Sequence, residues 1–243
     1  MGLSLRTRSL SRIAKPRPLF THLVGRLAPA LVLDVGSRDG SDALAFRAAS
    51  PASRILCFEA NPRLFAGMRA DPRLSAAGIE IFPFAVSDAA GEATFRVFNA
   101  EKGMGSLLPR VDTPDAETFQ VQTRRLDDLP EARGAATIAL WIDVEGCSYQ
   151  VVEGAKGLLD RVVLIHAEVE TRAFWAEQKL ASDLARMLAG HGFAPVLVRM
   201  KRRTPEQGNA IFVREEIARR PATWASLAGF SLVQALRPLA SPR

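Results

Sequence analysis

The sequence has few cysteines, few aromatic residues and no long apolar run. Its 243 residues include only Cys57 and Cys147, which cannot supply a disulfide framework, so we expect a reducing compartment, the cytoplasm. No uninterrupted apolar stretch approaches about 18 residues, the length that a membrane-spanning helix requires. Aromatic residues make up 7% of the chain, with a single tyrosine. Surfaces on which nucleic-acid bases could stack are therefore scarce.

The net charge of +6 is unevenly distributed along the chain. Residues 1–30 hold six Lys or Arg and no acid, and residues 196–243 hold nine basic and three acidic residues, whereas residues 31–195 hold 17 basic and 23 acidic residues. Because the central segment is acidic, binding of a polyphosphate or nucleic acid there is disfavoured.

The basic N-terminus lacks the apolar stretch of a secretory signal. We expect a solvated arm there, with peripheral membrane contact or an organelle transit peptide as alternatives.

From residue 31 onward, short apolar runs alternate with helical patterns, which is typical of βαβ units and a parallel sheet. Strands are predicted at 31–35, 54–59, 79–86, 138–144, 162–169, 193–199 and 209–214. Helices are predicted at 40–49, 62–70, 174–190 and from near Ser148. This order predicts an α/β fold with a doubly wound seven-stranded sheet, in which the last strand can run antiparallel.

Two further segments, 92–98 and 118–124, alternate apolar and polar residues like paired strands with one exposed face. They predict an inserted or edge β-hairpin, with a glycine-containing loop at 102–107 between its strands. The predicted organisation is therefore a basic N-terminal arm and leading helix over 1–30, a main domain over 31–214 and a C-terminal helical extension over 215–243.

Polar residues follow the first two predicted strands, at the edge where ligands bind in such sheets. The first strand leads into Asp34, Gly36, Ser37, Arg38, Asp39 and Gly40, and the second into Glu59, Ala60 and Asn61. Glu59 lies 19 residues past Gly40, the spacing of an acid that accepts hydrogen bonds from ribose hydroxyls. A nucleoside-bearing cofactor is therefore predicted. Since Asp34 and Asp39 would repel a pyrophosphate, a cationic cofactor such as S-adenosylmethionine is favoured over a nicotinamide dinucleotide.

A set of short segments occurs in a specific order and spacing along the chain. They are VLDVGSRDG (32–40), CFEANP (57–62), FAVSDAAGEATF (84–95), GMGSLL (103–108), RRLDDL (124–129), WIDVEG (141–146), VVEGAKGLL (151–159), HAEVE (166–170) and NAIFVR (209–214). Together they resemble the FkbM-type S-adenosylmethionine-dependent methyltransferases. The resemblance implies a Rossmann-like methyltransferase fold and methylation of a hydroxyl on a sugar or another small metabolite.

The resemblance also implies roles for individual residues. The loop from Asp34 to Gly40 would hold the methionine portion of S-adenosylmethionine, and Glu59, next to Ala60 and Asn61, would bind the ribose. The adenine would be bordered by Val86, Ser87 and Asp88. Asp143, at the tip of the fourth strand, would face the methyl group and the acceptor.

Four residues are candidates for catalysis. Asp143 and Glu145 lie two apart on an extended tip and share a face, where like charges raise one pKa as a general base requires. Glu168 or His166 would support the base, although a histidine inside an apolar strand is more often a core residue. An ion pair with Arg124 or Arg125 is the structural alternative for the two acids. No metal site is assigned; a divalent metal held by Asp143, Glu145 and Glu168 is a lesser alternative.

Some residues depart from the family pattern. Arg38 and Asp39 replace small or amide residues, Trp141 stands where lysine is common, and Cys147-Ser148 stands where Ala-Glu is common. Because the differences near the fourth strand fall where the acceptor would bind, one alternative is a domain that has the methyltransferase fold and no catalytic activity. A nucleic-acid methyltransferase that uses the basic ends as arms is the other alternative.

Overall fold

The computed structural model describes residues 14–99, 104–112 and 117–236, in which two β-sheets are flanked by helices. Residues 1–13 of the predicted N-terminal arm and leading helix (1–30), and residues 237–243 of the predicted C-terminal extension, lie outside the described residues. The strands are β1 Leu31–Val35, β2 Arg54–Phe58, β3 Glu80–Phe82, β4 Ala85–Val86, β5 Gly91–Asn99, β6 Met104–Ser106, β7 Glu117–Arg124, β8 Ile138–Ile142, β9 Val162–Glu170, β10 Phe193–Met200 and β11 Gln207–Arg214.

The helices pack on these strands. They are α1 Pro16–Leu27, α2 Ser41–Ala49, α3 Pro62–Ala70, α4 Pro72–Ala76, α5 Pro130–Arg133, α6 Ser148–Glu153, α7 Ala181–Gly190, α8 Glu215–Arg219 and α9 Pro221–Leu236, with 3-10 turns at Leu126–Asp128 and Lys156–Arg161. Asn61 caps α3 by accepting a hydrogen bond from the Arg63 amide at 3.0 Å, and Pro62 occupies the first helical position. Among the described residues, no helix has both the length and the apolar character needed to cross a membrane.

The larger sheet contains seven strands in the order β10-β11-β9-β8-β1-β2-β3. The pairs of β1 with β2, β1 with β8, β8 with β9 and β2 with β3 are parallel, whereas β11 runs antiparallel to both β9 and β10. The predicted doubly wound sheet is confirmed, including its antiparallel last strand. Because the strand order reverses at β1, a crevice forms outside the carboxyl ends of β1 and β8.

Both faces of this sheet are buried. Leu31, Leu33 and Val35 of β1 pack in one apolar cluster with α6 and α7, whereas Val32 packs in a second cluster with α1 and α2. Every residue of β1 and β8 is buried. Such continuous apolar strands are expected in the middle of a parallel sheet, and they give the crevice a rigid base.

The smaller sheet corrects two details of the predicted strands. The segment predicted as one strand, 79–86, is split: β3 joins the larger sheet and β4 pairs with β7 in the smaller one. Pro83, which has no amide hydrogen to donate, lies between them. The smaller sheet has the order β4-β7-β5-β6. The predicted hairpin is present as the antiparallel pair β5–β7, but Met104–Ser106 of the predicted loop forms strand β6 on β5.

The helix predicted over 174–190 is wrong in its first part. Helix α7 begins at Ala181, where Asp183 accepts a hydrogen bond from the Leu180 amide at 3.0 Å. Before it, Gln178 Oε1 accepts from the amides of Phe174 and Trp175, and the chain pairs with residues 109–111. Apolar side chains in this segment, Phe174 and Trp175, are buried by that packing rather than by a helix face.

Candidate active site

A cleft of about 860 Å³, including the space at its open mouth, lies outside the carboxyl ends of β1, β2 and β8. Strand β6 and the start of β4 form the opposite wall. The lining residues are Val35, Gly36, Arg38, Phe58, Glu59, Ala60, Phe84, Ala85, Val86, Phe95, Met104, Gly105, Ser106, Leu107, Asp143, Val144, Glu145 and Cys147.

The turn after β1 brings the backbone against the tip of β8. Gly36 has φ +84°, and a Cβ there would lie 2.3 Å from the Asp143 carbonyl oxygen, so this close approach requires glycine. Ser37 Oγ donates to the Asp34 carbonyl at 2.7 Å and accepts from the Phe58 amide at 3.1 Å. The turn is therefore held rigidly between β1 and β2.

Glu59 is a buried carboxylate that faces the cleft from the tip of β2. It is 5% exposed, and its two oxygens accept from the Arg38 and Asn61 amides, each at 2.8 Å. Burial raises its pKa to about 7, against the opposing effect of the backbone hydrogen bonds from Asn61, Arg38 and Ala60. Since a carboxylate has about four acceptor positions in total, Glu59 keeps capacity to accept a hydrogen bond from a ligand hydroxyl.

The cleft is not lined by four residues of the predicted cofactor loop, Asp34, Ser37, Asp39 and Gly40, nor by Asn61. Asp34 is fully buried behind it; its Oδ2 accepts from Cys57 Sγ at 3.7 Å, and its Oδ1 has no hydrogen-bond partner among the described residues. Burial, followed by the charges of Asp42 and Asp143, raises the pKa of Asp34 well above its usual value. Asp39 accepts from the Ser41 amide at the start of α2, and Gly40 packs on Leu74.

The part of the cleft next to Glu59 is largely apolar. Phe58, Phe84 and Phe95 contribute aromatic side chains, and Val86 lines the same part of the cleft. Ser87 and Asp88 follow Val86 but are absent from the lining of the cleft: Ser87 Oγ donates to Asp88 Oδ1 at 3.0 Å, and the Asp88 side chain is exposed. The shape and the apolar lining of the part of the cleft next to Glu59 suit a flat ring.

Carboxylates gather at the other end of the cleft. Asp143 and Glu145 line it from the tip of β8. One carboxylate oxygen from each of Glu145, Glu168 and Glu170 lies within 4.8 Å of the other two. The acid that lies close enough to Glu145 and Glu168 to share a metal ion with them is therefore Glu170, whereas the predicted third ligand was Asp143. Lys201 Nζ already donates to Glu168 Oε1 at 2.7 Å. That alternative stays a prediction.

Burial raises the pKa of each of these acids. Asp143 faces the cleft, but the surrounding protein desolvates its carboxylate and raises its pKa, against the charges of Lys201, Arg38 and Arg17. For Glu145, burial raises the pKa, and Lys201 opposes the rise. Burial raises the pKa of Glu168 well above its usual value, with further contributions from Glu145 and Asp143.

His166, predicted as a supporting partner, lies in the core behind the cleft. It is fully buried, its ring stacks on Trp141 with centroids 3.6 Å apart, and Nε2 lies 2.8 Å from Asn209 Oδ1. Burial lowers its pKa to about 3, so the imidazole is neutral. Arg124 and Arg125, the alternative partners of the acids, instead contact Phe84 and Asp127.

Several residues of the site were not assigned a role from the sequence. Lys201 contacts Glu168, and Gln207 Nε2 donates to Glu145 Oε2 at 3.2 Å. Ser106 Oγ donates to the Glu145 carbonyl at 2.6 Å and ties β6 to the tip of β8. The GMGSLL motif was the sequence signal for Ser106; the contact of Lys201 depends on the pairing of β10, β11 and β9.

A cleft at the switch point of a doubly wound sheet is where enzymes of the Rossmann-like class bind their ligands. The chain belongs to the FkbM methyltransferase family: the family described as "Methyltransferase FkbM domain" matches residues 34–195. It is a methyltransferase, as predicted.

The relatives agree with this assignment. The chain is 28% identical over 195 residues, 73% of each chain, to the 2-O-methyltransferase NoeI of Sinorhizobium fredii. Its fold is similar to that of a methyltransferase FkbM from Methylobacillus flagellatus, with a TM-score of 0.55 and 11% identity over 85% of this chain; this chain spans 50% of that protein's length. It is also similar to cofactor-bound Rv0187 from MTB, with a TM-score of 0.51 and 16% identity over 86% of each chain.

Proposed function

We propose that this protein transfers a methyl group from S-adenosylmethionine to a hydroxyl of a sugar or another small metabolite. The observation that carries the proposal is one cleft with Glu59 at its apolar end and Asp143 and Glu145 at its acidic end. The curated relative NoeI, a 2-O-methyltransferase, supports an oxygen acceptor. The acidic end disfavours a polyphosphate acceptor, which argues against RNA.

The residues present fit the cofactor. Glu59 offers two carboxylate oxygens to the ribose hydroxyls, while Phe58, Phe84 and Val86 offer an apolar slot for adenine. Gly36 and Arg38, with the Asp143 carboxylate beside them, would border the methionine portion. Bound there, S-adenosylmethionine supplies a methyl group on a cationic sulfur, which keeps the electron pair of the broken carbon–sulfur bond while the acceptor oxygen bonds to carbon.

The carboxylates then remove the acceptor's proton. Among the described residues, none forms a hydrogen bond with the Asp143 side chain, which reaches the cleft. Glu145 uses only Oε2 in bonding to Gln207. Their raised pKa values suit a general base that works near neutral pH. Either acid can take the hydroxyl proton as the new carbon–oxygen bond forms. The rest of the rate enhancement comes from the cleft, which aligns the acceptor oxygen with the methyl group.

The test is transfer of a labelled methyl group from S-adenosylmethionine to a panel of free sugars, short glycans, hydroxylated metabolites and RNA. We expect label in a hydroxylated small molecule, and loss of about 100-fold or more in turnover when Asp143→Asn and Glu145→Gln are combined. Glu216→Gln, an exposed acid on α8, is the matched control. Unchanged turnover in the double variant would contradict the base assignment, and label in RNA alone would contradict the acceptor class.

We also propose a cytoplasmic location. Both cysteines are buried as free thiols, which agrees with a reducing compartment.

A further inference from the structure

The turn between β10 and β11 places the ammonium group of Lys201 beside the acids at the acidic end of the cleft. Lys201 follows β10, and Gln207 begins β11; their backbones pair through the Lys201 amide and the Gln207 carbonyl at 2.8 Å. Lys201 Nζ donates to Glu168 Oε1 and to Gln207 Oε1, each at 2.7 Å. The ammonium is thus shared between a buried carboxylate and the amide oxygen.

This contact fixes the orientation of the Gln207 amide. An ammonium can only donate, so it requires the amide oxygen on its own side. The NH₂ group is then directed to the acids, where Gln207 Nε2 donates to Glu145 Oε2 at 3.2 Å and to Glu170 Oε1 at 3.4 Å. Ionised carboxylates only accept, so the arrangement is complementary at each contact.

Glu170 and Glu168, the other two acids near Glu145, are bound by side chains that do not line the cleft. Glu170 Oε2 accepts from Gln178 Nε2 at 2.9 Å, and Glu168 lies 4% exposed beneath Lys201. Glu145 has one oxygen bound to Gln207 and its other oxygen available to the cleft that it lines. Without the ammonium, three carboxylates within 4.8 Å would repel one another, and Gln207 could turn its amide over.

We propose that Lys201 is a positioning residue for methyl transfer: by fixing the Gln207 amide and neutralising Glu168, it holds Glu145 with one carboxylate oxygen free to accept the acceptor's proton. This inference rests on the proposed function and selects Glu145 from its two candidate bases. Lys201 itself is absent from the lining of the cleft.

The test compares Lys201→Met with Arg202→Met, which removes the same charge from the next, exposed position of the same turn. For Lys201→Met we expect kcat to fall about tenfold or more, with KM for the acceptor and affinity for S-adenosylhomocysteine changed by about twofold or less, because only the base is displaced. Lys201→Arg should recover most of the activity, since a guanidinium also only donates. Arg202→Met should behave as wild type.

A second variant and a second readout keep the inference testable if Lys201→Met folds poorly. Gln207→Glu keeps the shape but replaces the NH₂ donor with an acceptor, so kcat should fall similarly. In wild-type protein the Gln207 side-chain amide signals, assigned by their loss in Gln207→Glu, should exchange with solvent more slowly than those of Gln120, whose side chain is exposed.

Two outcomes separate this inference from the proposed function. A wild-type enzyme that methylates an acceptor while Lys201→Met and Arg202→Met have the same kcat overturns the role of Lys201 alone. A wild-type enzyme that methylates nothing in the panel contradicts the proposed function, and the role of Lys201 in catalysis with it, even if slow exchange of the Gln207 amide shows that the contact exists.

Discussion

At the scale of single residues, we expect cofactor binding to depend most directly on Glu59 and Gly36. Glu59 places a carboxylate at the apolar end of the cleft and is held by backbone amides rather than by a cation. Gly36 allows the turn after β1 to approach the tip of β8. The two residues act differently: one offers hydrogen-bond acceptors to a ligand, and the other shapes the backbone that surrounds it.

Glu59→Gln should weaken binding of S-adenosylhomocysteine by about tenfold to 100-fold, because an amide offers one acceptor oxygen to a ribose diol instead of two. Calorimetric titration measures the change, with Glu216→Gln as the control. For the wild type, affinity should also fall as the pH drops below about 7, since protonation removes the carboxylate's charge. Equal affinity of Glu59→Gln and wild type would contradict the ribose assignment.

Gly36→Ala should destabilise the protein by about 2 kcal/mol or more, because the added Cβ meets the Asp143 carbonyl and φ is +84°. Gly67→Ala is the matched control: Gly67 lies inside α3 with open space around it, so the change should be neutral or stabilise by up to about 1 kcal/mol. Chemical denaturation measures both. Equal effects of the two substitutions would mean that the turn is looser than described.

At the scale of elements, β6 is the part of the smaller sheet that closes the cleft. It pairs with β5 and is tied to the tip of β8 through Ser106. Gly105 lies against the Phe95 ring, where a Cβ would come within 2.5 Å. Strand β6 therefore connects the smaller sheet to the segment that carries Asp143 and Glu145.

Ser106→Ala should lower the free energy of unfolding by about 1 kcal/mol, because it leaves the Glu145 carbonyl and the Leu108 amide without their partner. It should also lower methyl-transfer activity, since the loop that carries Glu145 loses its tie to β6. Ser75→Ala, at an exposed position of α4, provides the comparison in denaturation and activity assays. Wild-type behaviour of Ser106→Ala in both assays would rule out β6 as a support for Glu145.

The elements also show which features a sequence can reveal. Strands β1 and β8 were predictable because their apolar runs are short, continuous and followed by polar tips. The split at Pro83 and the irregular segment before α7 were missed, since a local apolar pattern does not show which sheet or loop buries it. Glu59, which lines the cleft, followed from its spacing after Gly40, whereas Asp34 lies buried behind the cleft. Lys201 and Glu170 reach the acidic end only through the pairing of β9, β10 and β11.

At the scale of the whole molecule, the protein buries several acids whose pKa values burial raises: those of Glu59 and Glu170 to about 7 and that of Asp42 to about 6. Above about pH 4.5 these carboxyl groups are ionised in the unfolded chain. In the folded protein they keep their protons to higher pH. Burial lowers the pKa of His166 to about 3, which has the opposite effect on stability between about pH 5 and 7. The acids outnumber the histidine.

The free energy of unfolding should therefore fall as the pH rises from about 5 to 8. Combining Glu59→Gln with Glu170→Gln should flatten this dependence, because an amide has no proton to lose. Denaturation at several pH values measures it, with Glu216→Gln expected to follow the wild type. Stability that rises over this interval in the wild type, or an unchanged slope in the double variant, would contradict the buried acids as its source.

The most direct test of the account is a crystal structure of the protein with S-adenosylhomocysteine. The account predicts the ribose hydroxyls on the two oxygens of Glu59, the adenine among Phe58, Phe84 and Val86, and the sulfur directed toward Asp143 and Glu145. Binding of the compound at another surface, or a ribose that makes no contact with Glu59, would contradict it.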